Sequence, residues 1–111
     1  MGLKEWAIQV LLNIFNNINK QDIVNFIQNN GDLTELIKKN IYAHANSIIK
    51  TLLRIFWDDI ESIITDTDKV IEILVKARPD LKDVFKDQKA KLWLYENLKK
   101  LYAFLYDYTW R

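Results

Sequence analysis

The sequence predicts an all-α fold, and three observations predict it. Breakers are almost absent from the 111 residues: Gly2, Gly31 and Pro79 are the whole set. A sheet protein of this size needs several tight turns, yet only Asn30-Gly31-Asp32 offers one. Apolar residues recur at spacings of three and four rather than two. The expected architecture is a single domain, a bundle of five or six helices organised on one long central helix over about 33–64.

The first helix is expected over about 3–18, where Leu3, Trp6, Val10, Ile14 and Ile18 make the apolar stripe. The Asn16-Asn17 and Asn19 cluster ends it. A short helix follows over about 20–29, capped by Asn19, with Asp22 in its first turn and Ile23, Phe26 and Ile27 facing inward. Gly31 is expected to take the left-handed conformation that closes it. Asp32 reads as the next N-cap, with Glu35 three residues on, close to a capping box. No breaker occurs from Leu33 to Ile64, and Ile37, Ile41, Ile48, Leu52, Ile55, Phe56 and Ile63 share one broad face. A continuous or slightly bent helix of roughly 48 Å is predicted, with Trp57 to Asp59 as the place for a kink. The Thr65-Asp66-Thr67-Asp68 cluster caps a helix over about 68–77, which must stop at Arg78 because Pro79 follows. Pro79 then opens a short helix, PDLKDVFK, anchored by Leu81, Val84 and Phe85. Asp87 caps the last helix, over about 88–108.

That last helix is too apolar for one ordinary core stripe. With Tyr95 at zero on a helical wheel, Leu94, Leu98, Leu101, Leu105 and Tyr108 fill an arc from about 220° to 300°. Tyr95, Tyr102 and Tyr106 make a second stripe around zero with Lys99 among them, and Trp93 and Phe104 lie near 160° to 180°. Only Glu96, Lys100 and Asp107 hold a polar sector. Two arrangements account for this. The helix lies centrally, with neighbours on several sides, or the tyrosines form an interaction stripe for a protein partner or a second copy. Stacking of single-stranded nucleic acid on the same rings is the third and weakest account.

Composition narrows the function classes. Half the residues are apolar and 28% charged, as in ordinary globular domains. Without Cys there is no disulfide scaffold, thiol nucleophile or thiolate ligand. The net charge of +1 implies no general affinity for nucleic acid or acidic lipid. Its distribution is uneven. Asp58, Asp59, Glu61, Asp66, Asp68 and Glu72 form an acidic block broken by Lys69 alone, and 76–100 is net basic. The two blocks are expected to satisfy each other on the surface. The N-terminus lacks a cleavage site, no stretch approaches a membrane span, and Lys4 alone gives the first helix little hold on lipid phosphates. A cytoplasmic protein without membrane attachment is the expectation. The abundance of Ile, Lys, Asn and Tyr suggests an A/T-rich genome.

Catalytic signatures are missing. His44 is the lone histidine, without an acid or second His beside it. Asp66-Thr67-Asp68 begins like a calcium loop, but Val70, Ile71 and Ala77 occupy the positions where ligands and the obligatory Gly belong. Two glycines cannot build a phosphate-binding loop. No enzyme, cofactor, metal or small-molecule substrate is therefore expected. The leading expectation is a small interaction protein, an accessory subunit or homo-oligomer, with Tyr95, Lys99, Tyr102 and Tyr106 binding the partner. The alternative is a nucleic-acid-binding protein from a virus or mobile element, contacting phosphates through Lys76, Arg78, Lys82, Lys86, Lys89 and Lys91. Asp80, Asp83 and Asp87 interleave with those bases and weaken the alternative.

Overall fold

The computed structural model describes residues 13–43 and 47–111. Among them the regular elements are all helical. A 3-10 helix, Asn13–Asn17, leads to α1, Lys20–Gln28. Then come α2, Leu33–Ala43; α3, Ser47–Ile55; α4, Trp57–Ile64; and α5, Thr67–Ala77. Two 3-10 turns, Pro79–Leu81 and Val84–Lys86, connect to α6, Gln88–Trp110.

Local chemistry explains the helix starts. The Asn19 side chain accepts the Asp22 N–H at 2.8 Å, Asp66 accepts that of Lys69 at 3.2 Å, and Asp87 accepts that of Lys89 at 3.2 Å. Asp32 accepts from the Glu35 N–H at 3.3 Å, the first half of a capping box, while the Glu35 carboxylate turns to Lys38 instead. α5 ends at Arg78, ahead of Pro79.

Four expectations are corrected. The helix expected over 3–18 is a 3-10 helix at Asn13–Asn17, and the rest of that span, 3–12, lies outside the described residues, as does His44. The left-handed residue after α1 is Asn30, with φ of 55°, and not Gly31. Asn tolerates that region, and Gly31 is needed for another reason: a Cβ there would run into the Phe26 ring. PDLKDVFK makes two separate 3-10 turns rather than one helix, although Leu81 and Phe85 are buried as expected.

The fourth correction concerns architecture. The described residues of the 33–64 span form α2, α3 and α4, with a bend at Phe56 between the last two, and the long central helix is α6. A straight rod of roughly 48 Å exceeds the longest dimension of the molecule, 34 Å. The chain departs from helical geometry at Phe56, with φ of −105° and ψ of 19°. Its N–H still reaches Leu52 O at 3.0 Å, and its carbonyl still accepts from Ile60 at 2.9 Å. The bend lets Leu53, Trp57, Ile60, Ile63 and Ile64 all enter the core. The 23 residues of α6 span roughly 35 Å, the full length of the fold, and each of the other five α-helices packs against it. Leu94, Leu98, Leu101 and Leu105 are its buried spine. The radius of gyration, 13.3 Å, is that of a compact chain of this length.

Buried polar groups lock the elements together. The Asn97 side chain of α6 accepts the Leu33 N–H at 2.8 Å and donates to Trp93 O at 2.9 Å, so α6 satisfies the first turn of α2. Trp93 donates its indole N–H to Gly31 O at 2.8 Å and meets Phe26 edge-on at 5.8 Å. At the other end, Arg54 Nε donates to Thr109 O at 2.8 Å and Lys50 Nζ to Arg111 O at 3.4 Å. Both cations sit where the dipole of α6 is negative.

Candidate functional site

α6 resolves the excess of aromatic residues into covered and uncovered faces. The leucine spine and Trp93 are buried. Phe104 and Tyr108 stack on each other at 5.9 Å and are half-covered, with Lys38 Nζ 5.2 Å from the Phe104 ring and Lys50 Nζ 5.7 Å from that of Tyr108. Here the central-helix expectation holds. The tyrosine stripe differs: Tyr95 remains 45% exposed and Tyr106 52%.

The stripe is ordered by its neighbours. Lys99 Nζ lies 4.4 Å from the centre of the Tyr95 ring. Tyr102 and Tyr106 stack at 6.3 Å, and Trp57 of α4 meets both, at 5.9 and 5.8 Å. Trp57 also meets Trp110 edge-on at 6.3 Å. Tyr102 donates its hydroxyl to Glu61 Oε2 at 2.6 Å. That hydrogen bond, with burial and the Glu61 charge, pushes the Tyr102 phenol above its ordinary value. Beside the stripe, Ile64, Thr65, Thr67, Tyr95, Leu98, Lys99 and Tyr102 line a shallow groove of about 290 Å³.

All four stripe residues expected from the sequence therefore lie on one face of one helix. The stripe is also longer than expected. Leu92, 60% exposed, and Trp110, 50% exposed, extend it at both ends. Each falls about 60° from Tyr95 on the wheel, a signal legible in the sequence but passed over. Trp57 and Glu61 come from another helix, and nothing in the local pattern marks them. From Leu92 to Trp110 the face runs about 27 Å.

The six bases of the alternative do not form one unit. Lys76, Lys82, Lys86 and Lys91 line an open groove of about 650 Å³ with Ile71, Val75, Phe85, Asp68 and Glu72. Those four lysines make no ion pair among the described residues. Lys89 lies in a different groove, near Lys20 and Asp83. Arg78 is committed internally: its guanidinium forks onto Asp80 at 2.8 and 3.0 Å and donates to Phe15 O and Ile18 O. The acidic and basic blocks adjoin at the open groove of about 650 Å³, where Asp68 and Glu72 lie beside the lysines. Lys20 pairs with Asp83, Lys69 with Glu72 and Arg78 with Asp80, each within or outside the blocks rather than between them.

Among the described residues no group of three or more His, Asp or Glu could hold a metal ion, and no helix is long and apolar enough to cross a membrane. No family model, curated protein or solved structure matches the chain.

Proposed function

We propose that this chain is a small non-catalytic helical interaction protein, an accessory subunit or homo-oligomer, that docks through the aromatic face of α6. One observation carries the reading. Leu92, Tyr95, Tyr106 and Trp110 leave half or nearly half of their surface uncovered along one continuous line. Scattered exposed apolar residues need no explanation, whereas an aligned row with Lys99 in its midst and Glu96 and Asp107 along one edge is what a partner covers. Tyr and Trp suit that work because they offer large, stiff, amphipathic area. The test is affinity capture from source-cell extract with the tagged chain, Tyr106→Glu and Trp110→Glu as baits. The wild-type bait is expected to retain a protein that both variants lose while their helical circular dichroism is unchanged. Identical retention by all three overturns the reading.

A second reading rests on the four lysines around the 650 Å³ groove, which make no ion pair among the described residues. They supply a patch for nucleic-acid phosphates, although Asp68 and Glu72 share the rim. A gel shift with single- and double-stranded DNA and RNA over a salt series tests it. Retardation that fades with salt supports the reading, and no retardation at low salt removes it.

A further inference from the structure

Resting on the docking role proposed for α6, we infer that the partner is a second copy of this chain, with the two α6 helices packed antiparallel about a two-fold axis between Lys99 and Tyr102. Leu92, Tyr95, Lys99, Tyr102 and Tyr106 follow one another at steps of three, four, three and four. This is the 3.5-residue seam that a second helix covers. The seam is also close to a palindrome. In antiparallel register Tyr95 meets Tyr106, Lys99 meets Tyr102, and Leu92 meets Trp110, each pair being formed twice as an isologous contact requires. Every pair is compatible: ring on ring, ammonium on ring, aliphatic on indole.

Charge decides the direction. A parallel pair would set Lys99 against Lys99 in the middle of the seam. The antiparallel pair brings each Lys99 to the other copy's Tyr102, whose hydroxyl is held by the Glu61 carboxylate. That carboxylate then faces an ammonium rather than water. Area sets the strength. The half-exposed side chains leave on the order of 100 Å² each, so two copies bury roughly 1,000 Å², the lower end of specific interfaces. A reversible dimer dissociating in the micromolar range is expected.

Sedimentation equilibrium of the full chain over about 1 to 500 μM, together with thiol cross-linking, tests this. The mass is expected to rise from 13.3 kDa towards twice that value. Lys99→Glu and Tyr106→Glu should each weaken the dimer at least tenfold, and Lys99→Glu combined with Glu61→Lys should regain most of the Lys99→Glu loss. The chain has no Cys, so introduced thiols report alone. Leu92→Cys mixed with Trp110→Cys should form disulfide-linked dimers under mild oxidation, and Leu92→Cys by itself should not, its two copies being about 27 Å apart. Cross-linking of Leu92→Cys with itself overturns the antiparallel register. A mass of 13.3 kDa at every concentration overturns the second copy as partner. If the stripe-dependent capture described above persists in that case, the docking role survives with a different partner; if it does not, both fall.

Discussion

Gly31 is required for space rather than for conformation. Its carbonyl accepts from Trp93 and its N–H donates to Phe26 O at 2.8 Å, which presses the backbone onto the Phe26 ring. Gly31→Ala should cost about 1–3 kcal/mol by overpacking, read as a lower midpoint in denaturant with an unchanged slope. The sequence marks a turn here but does not decide whether Asn30 or Gly31 takes the left-handed conformation; the fit against Phe26 and Trp93 decides it. Tyr102 gives a second test. Its hydrogen bond to Glu61 raises the phenol's proton affinity in the folded state. The resulting stability is present below the unfolded phenol value, near about pH 10, and is lost as pH rises through the higher folded value. Thermal melts from neutral to strongly alkaline pH should show wild type losing stability in that window. Tyr102→Phe should have a flatter alkaline limb.

Helix starts are legible because caps are local: Asn19, Asp66 and Asp87 each bind an N–H two or three residues ahead. The bend at Phe56 falls one residue before Trp57 to Asp59, the place the sequence offers for a kink, but its residue and angle are not legible, because no Gly or Pro marks it. The hydrogen bonds run on through Phe56, and only the demand of the folded core turns the chain. The same holds for Asn97, an apparently ordinary polar residue of α6 that is 7% exposed and caps α2 from 64 residues away. Asn97→Ala leaves the buried Leu33 N–H without its acceptor. It should cost about 1–3 kcal/mol and raise the hydrogen-exchange rate of the Leu33 amide more than that of amides in α5.

Across the whole molecule, Arg78 ties the connection after α5 to the 3-10 helix near the N-terminus, through the Phe15 and Ile18 carbonyls and the fork onto Asp80. Arg78→Lys keeps the charge but not the fork and should cost about 2 kcal/mol, measured by chemical denaturation. The hydrogen bond from Arg78 also holds the Asp80 carboxyl below the usual carboxylate range. Its contribution is present above about pH 4 and disappears as pH falls through the lower folded value, so Asp80→Asn should remove part of the acid-induced loss. The helical class and the tyrosine stripe could be read from the sequence because both are periodic. Which long helix is central could not, because centrality depends on distant pairings such as Leu33 with Asn97. That centrality has a consequence for biosynthesis. The spine on which every other helix rests is made after all of them, so α1 to α5 leave the ribosome with their inner faces bare. At about 5–20 residues per second, the 23 residues of α6 take roughly one to five seconds to follow. For that interval a chaperone has greasy nascent chain to shield, and the native core closes only once α6 has emerged.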